Sequence, residues 1–266
     1  MNTGTFSRCF SRIMNLKRAL ISVLVGLECI VAFGQQQLPN SSFDLWTRKN
    51  GCWNPYPSDG KNITWDTANH GLSIIGINGA SPEYQHVAVP GKGKAAVKVE
   101  TKQVFGILVA GTIYTGRFIG LVKLSGAKIQ LGVPFTGRPR SLSGYLHYSP
   151  GTIDVTSKKM RHLKGTMDNA KLDISLRDGK ELQVIDSTDE SFQEESAETN
   201  PDLVGYGVLY VKEDTKGYIR FEIPIDYRKD STPTNIVISV SSSRYAQQFT
   251  GSTDSVLWVD ELQLNY

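Results

Sequence analysis

The chain has 266 residues, 29 Lys and Arg against 26 Asp and Glu, and 39% hydrophobic residues. A formal charge of +3 leaves no basic footprint of the kind that binds nucleic acid or an anionic membrane. Three cysteines in a chain of this length exclude a disulfide-built scaffold.

The first element is an export signal over residues 1–34. Arg8, Arg12, Lys17 and Arg18 precede an apolar run from Ala19 to Phe33 that is short for a membrane span, and Ala32-Phe33-Gly34 supplies the small residues of a cleavage site. Removing it takes away four basic residues and one acidic, so 25 of each remain and the mature chain is formally neutral. No later stretch is apolar enough to span a bilayer. Export to the periplasm, the cell surface or the medium follows as the expectation. Cys9 and Cys29 fall in the signal, which leaves Cys52 alone, and with no activating neighbour it is expected to be a small packing residue.

One domain, residues 35–266, is expected after the signal. From Asn40 to Pro90 the chain is rich in Trp, Asn, Gly and Pro and poor in alternation. It reads as a long structured loop region, and such loops carry binding residues. From Ala95 onward short alternating apolar runs are punctuated by Gly, Pro, Asn and Asp, the pattern of antiparallel strands. Strands are predicted at 95–101, 107–113, 128–131, 141–148, 170–177, 204–211, 218–224, 235–242 and 255–265, with an acidic solvated connection over 186–198. In Asn235–Ser242 the apolar residues Ile236, Ile238 and Val240 alternate with polar ones, as in a strand with one buried face. No mature segment holds a helical period. The fold class is therefore all-β, an antiparallel β-sandwich.

The spacing of reactive residues excludes several chemistries. There is no Gly-x-Ser-x-Gly elbow, no His-Glu-x-x-His and no Cys/His cluster, and His70, His86, His147 and His162 stand far apart in sequence. Gly91-Lys92-Gly93-Lys94 precedes a strand rather than the helix a phosphate loop needs.

A sugar site asks for an open aromatic face flanked by hydrogen-bonding groups. Trp53 and Trp65, with Asn54, Asp66 and Asn69, fall together in the loop-rich stretch and form the candidate ligand-binding set. Arg117 and Arg138 sit in Thr-Gly-Arg-Phe and Gly-Arg-Pro turns, where a guanidinium stacks on a ring or clamps oxygens. Tyr206 and Tyr245 have small or polar neighbours. The competing reading is that the tryptophans plug the sandwich and the arginines brace turns. A glycoside hydrolase would need two carboxyl groups about 5 Å or roughly 6.5–9.5 Å apart; Asp66, Asp173, Glu222 and Asp226 are the candidates, and nothing in the sequence pairs them. A third reading is a surface interaction module that recruits partners at a strand edge.

The ordered series Trp53-Asn54-Pro55, Trp65-Asp66-Thr67-Ala68-Asn69, Ala110 to Phe118, Pro134 to Pro139, Leu142 to Tyr145 with Tyr148-Ser149-Pro150-Gly151, Ser243-Arg244-Tyr245, Phe249-Thr250-Gly251 and Val259-Asp260-Glu261-Leu262 resembles the putative carbohydrate metabolism domain of exported Bacteroidetes proteins. The likeness covers nearly all of residues 38–266. It implies a jelly-roll sandwich of the galactose-binding-domain type, akin to carbohydrate-binding modules, with an oligo- or polysaccharide as partner; the expectation is a binding protein without a catalytic residue, with a glycoside hydrolase as the alternative. It also implies a structural calcium ion held by Asp44, by Asp260 and by the Lys92-Gly93-Lys94-Ala95 turn. Asp44 stands where a Glu often follows the Phe, and Ala68 where a Gly is common.

Overall fold

The structure, a computed structural model, describes residues 35–266 apart from 73–75, 105–106, 110, 123–125, 187 and 190–198. The export signal and most of the acidic connection lie outside the described residues. Residues 36–266 form one unit.

Among the described residues there are eighteen strands, one helical turn at Asn69–Leu72 and 3-10 turns at Lys158–Leu163 and Ala246–Gln248. The strands are β1 (Thr47–Lys49), β2 (Cys52–Asn54), β3 (Trp65–Thr67), β4 (Ala80–Glu83), β5 (Ala96–Glu100), β6 (Lys102–Val104), β7 (Ile107–Val109), β8 (Thr112–Val122) and β9 (Gly126–Leu131). They continue as β10 (Val133–Pro134), β11 (Ser141–Ser149), β12 (Ala170–Arg177), β13 (Gln183–Asp186), β14 (Leu203–Val211), β15 (Ile219–Pro224), β16 (Asp226–Tyr227), β17 (Asn235–Ser241) and β18 (Val256–Asn265). The larger sheet runs β13-β9-β8-β17-β12-β14-β16, with β3 on β8 and β10 on β17; the smaller runs β15-β11-β18-β5-β4. Every named pairing is antiparallel.

The two sheets face each other across one apolar core. Ile113, Leu172, Ile174, Leu176, Ile236, Ile238 and Val240 come from the larger sheet and Val97, Val99, Leu142, Leu146, Tyr148, Leu257 and Val259 from the smaller. Each such side chain contributes about 1.5–3 kcal/mol by leaving water. The period of two then fixes what the opposite face shows. On β12 Leu172, Ile174 and Leu176 point inward, so Lys171, Asp173, Ser175 and Arg177 line the other side.

The stretch predicted as loop is more ordered than its composition suggests. It contains β1 to β4, and β3 joins the larger sheet through β8, pairing Trp65 with Thr115 and Asp66 with Tyr114. The strand expected at 107–113 is instead two, the second running to Val122. Its alternation is interrupted at Gly116, where φ is +143° and a Cβ would stand 2.1 Å from the Gln130 carbonyl oxygen.

Candidate functional site

The outward face of the larger sheet is built by register. Asp66 on β3 lies opposite Tyr114 on β8, Tyr114 opposite Ser239 on β17, and Ser239 opposite Asp173 on β12. One row away, Tyr206 lies opposite Ser175 and Ser175 opposite Val237. This face is polar yet largely closed, since Asp66, Tyr114, Asp173 and Tyr206 are each buried.

At the β3 end the buried row is covered by side chains that reach the surface. Asp66 is 2% exposed; its Oδ1 accepts the N–H of Thr67 and its Oδ2 that of Phe118, both at 2.8 Å. The second bond depends on the bend at Gly116, which brings Phe118 back over β3. Burial nonetheless pushes the carboxyl up to about 6, against the two amides and the charge of Arg117. Beside it, the Tyr114 hydroxyl is buried and makes no hydrogen bond in the structure. Burial, with the nearby Asp66 and Tyr56, holds that phenol well above its ordinary range. Tyr56 completes the wall. Its hydroxyl lies 3.2 Å from Asn54 Oδ1 and 2.9 Å from His70 Nε2, so a hydroxyl donating to the amide oxygen receives the Nε2–H of His70. Burial first, then the charge of Asp66, pushes Tyr56 up to about 12. His70 is exposed and stacks on Phe118 at 6.4 Å and 20°, and Arg117 is exposed with its charge acting on Asp66.

The structure thus brings Asn54, Asp66 and Arg117 of the predicted set together and adds Tyr56, His70, Phe118 and Tyr114. The available signal for Tyr114 was its place two residues from Thr112 and Gly116, out of phase with Ile113 and Thr115. Trp65 needs correcting. Its side chain is fully buried, edge-on to Phe43 at 5.1 Å and 64°, with Nε1 donating to the Pro39 carbonyl, so it presents no face to a ligand. Asn69 is likewise structural: its amide donates to the Trp53 and Ala80 carbonyls and its oxygen accepts the N–H groups of Gly79 and Ala80. Trp53 is half-buried on the β1–β2 hairpin and has Arg48 over its ring at 5.2 Å.

The remaining candidates lie elsewhere. Arg138 braces a turn, stacking on Tyr227 at 4.2 Å and donating to the Ser231 and Lys229 carbonyls. Tyr206 is 6% exposed, its ring closed within the sheet face, and Tyr245 is half-buried under Arg244 at 5.1 Å. Arg138 and Tyr206 are corrected from ligand contacts to structural positions, the one because its guanidinium is engaged and the other because its ring is buried, while Tyr245 stays partly exposed on the turn after β17.

The four acid candidates form no catalytic pair by register. Asp66 and Asp173 are three strand spacings apart, roughly 14 Å between backbones, and Asp173 is held by Lys171 at 3.0 Å. Glu222 accepts the Ser141 hydroxyl on the other sheet, and Asp226 is exposed on β16. A cleft of about 600 Å³ between β14 and β15, lined by Leu146, Leu209, Tyr210, Arg220, Phe221 and Glu222, includes no predicted ligand residue.

Asp44 and Asp260 both bind the β4–β5 connection, Asp44 at the 92–95 turn and Asp260 at Ala88 ahead of it, while Lys92 of that turn pairs with Glu261 at 2.8 Å. Asp44 Oδ1 accepts the N–H groups of Lys94 and Ala95, and Asp260 Oδ2 accepts that of Ala88 at 2.9 Å. Burial raises Asp260 to about 6, and the charges of Glu261 and Asp44 push the same way. A Cβ on Gly93 would stand 3.1 Å from both Asp44 Oδ1 and Glu261 Oε1, so the glycine keeps a space bounded by hard oxygens. That donor chemistry suits calcium. Among the described residues no three His, Cys, Asp or Glu side chains form a ready-made metal group, so an ion here would take further oxygens from backbone carbonyls and water.

A family model described as "Putative carbohydrate metabolism domain" matches residues 41–265. No curated protein matches the chain. A solved structure named as a putative glycoside hydrolase from Bacteroides thetaiotaomicron is 18% identical, with 85% of this chain and 70% of that one covered and a TM-score of 0.64. A second of the same description from Bacteroides vulgatus is 17% identical, covering 83% and 94%, with a TM-score of 0.62. These likenesses establish the shared sandwich fold. Among the described residues no helix is long and apolar enough to cross a membrane.

Proposed function

We propose, on the premise that the chain belongs to the putative carbohydrate metabolism domain family, that it is an exported, non-catalytic protein that binds an oligo- or polysaccharide. The site is the cluster of Asp66, Tyr114, Tyr56, His70 and Arg117. The observation that carries this reading is the Tyr114 hydroxyl, 96% of whose residue surface is closed off yet which lacks a hydrogen-bond partner. A buried polar group without a partner costs about 1–3 kcal/mol, a cost that a sugar hydroxyl would offset once the exposed His70 and Arg117 side chains swing aside to admit it. Asp66 as acceptor, Arg117 as donor and the Tyr56 ring as an apolar wall supply the rest of a sugar's needs.

Replacing Tyr114 by Phe tests this directly. Removal of an unpartnered hydroxyl is expected to leave the melting temperature unchanged or slightly raised, while glycan binding weakens about fivefold to tenfold, the worth of one hydrogen bond. A glycan array followed by calorimetry on the best hit provides the measurement. Binding unaffected by Tyr114→Phe and by Tyr56→Ala would remove the site.

Calcium belongs to the same proposal, with Asp44, Asp260 and the 92–95 turn holding the ion and tying the chain ends. Differential scanning calorimetry should show a higher melting temperature in calcium than in EDTA, rising with the logarithm of calcium concentration. An Asp44→Ala variant should lose that dependence, and an EDTA-insensitive wild-type melt would refute the ion.

A further inference from the structure

We propose that the outer face of the smaller sheet carries a separate site, a two-imidazole centre formed by His86 and His147 for a divalent transition-metal ion of the copper or zinc class. The proposal is independent of the sugar site, which lies on the other sheet. His147 stands on β11 between Leu146 and Tyr148, both in the core, and so faces outward. Its ring stacks on its register partner Trp258 of β18 at 4.7 Å and 17°. His86 arrives from the connection between β4 and β5. That connection is pinned on both sides of the contact: the Tyr218 hydroxyl donates to the His86 carbonyl at 2.8 Å, and the Ala88 N–H donates to Asp260. The His86 ring packs on Tyr218 at 4.9 Å.

Between the two rings, His86 Nε2 and His147 Nδ1 are 3.1 Å apart. Two imidazole nitrogens bound to one ion at about 2.0–2.1 Å, with an angle between roughly 90° and 109°, stand about 2.9–3.4 Å from each other. The observed separation falls inside that window. Each neutral ring then carries its proton on its other nitrogen, so coordination exchanges the ring-to-ring hydrogen bond for two metal bonds. His86 is exposed and His147 half-buried, which leaves the ion's remaining positions open to water. No third His, Cys, Asp or Glu completes the group among the described residues, so the site is an open one of modest affinity. Imidazole nitrogen selects copper, zinc or nickel over calcium, which separates this site from the one at Asp44 and Asp260.

The test is titration of the full chain with copper(II), and separately with zinc(II), by calorimetry and by quenching of tryptophan fluorescence. Saturation at one equivalent is expected, with His86→Ala and His147→Ala each weakening it at least tenfold. His162→Ala, in the exposed 158–163 turn, and excess calcium should leave it unchanged. Should either alanine variant fold poorly, His86→Gln and His147→Gln carry the same comparison. Absence of saturable binding by the wild-type chain, or wild-type affinity in the His86 and His147 variants, overturns the proposal.

Discussion

Trp65→Ala is expected to cost about 3–5 kcal/mol of folding stability, the usual loss for a fully buried large aromatic. In a domain of this size each kcal/mol moves the melting temperature by roughly 2–4 °C, so a fall on the order of 10 °C follows. The ring fills the space between β3 and the 38–46 segment: it packs edge-on against Phe43, and its indole N–H ties to Pro39. Removing it opens a cavity and leaves the Pro39 carbonyl without its donor. Trp53→Ala is the internal comparison. That half-exposed ring rests under Arg48 on a two-stranded hairpin, and its loss should cost under about 1 kcal/mol, within the range of surface changes. Thermal melts of the two variants decide the matter. If Trp65→Ala melts with the wild type while losing glycan binding, the ring is a ligand platform after all.

The second large effect is expected at Asp168. This carboxyl group is fully buried. It gathers four donors: Oδ1 accepts the Asn169 N–H, while Oδ2 accepts the Ser243 hydroxyl at 2.6 Å, the Ser252 N–H at 2.8 Å and the Ser255 hydroxyl at 3.1 Å. Burial raises the carboxyl, and those four hydrogen bonds pull it back. Asp168→Ala strands the donors in a closed space, and at about 1–3 kcal/mol for each buried group left unmet a total loss of about 3 kcal/mol or more is expected. Asp168→Asn keeps one acceptor oxygen and should fall between. Denaturant unfolding gives the ranking directly; an alanine variant within about 0.5 kcal/mol of wild type would show that water replaces the carboxylate at no cost.

Much of the scaffold was readable before any coordinates. Ala170–Arg177 forms a strand at the predicted residues because a run of Leu and Ile at every second position has only one way to bury them. The strand predicted to end at Ile113 runs on as β8 to Val122, because Gly116 lets the chain pass close to the Gln130 carbonyl and pair with β9. The candidate site was only half legible. Composition drew attention to Trp65 and Asp66 together, but they are neighbours on a strand and therefore face opposite ways. Which of the two points inward is set by pairing with β8, about fifty residues downstream, and no local pattern encodes that register. Tyr114 and Tyr56 escaped for the same reason, since only the sheet brings them to Asp66.

The strand that closes the smaller sheet sits at its centre rather than its edge: β18 lies between β11 and β5, and its Leu262 and Leu264 tie back to Ser41 and Gln37. A polypeptide emerging amino end first, from a ribosome or through a translocation pore, therefore holds β4–β5 and β11–β15 as two unjoined ribbons until residues 256–265 arrive. Closure is a late, long-range event, and contacts of such sequence separation slow folding. The larger sheet, complete by Ser241, can form before that, so the smaller sheet is the half of the sandwich that waits for β18 to find β5 and β11 at once.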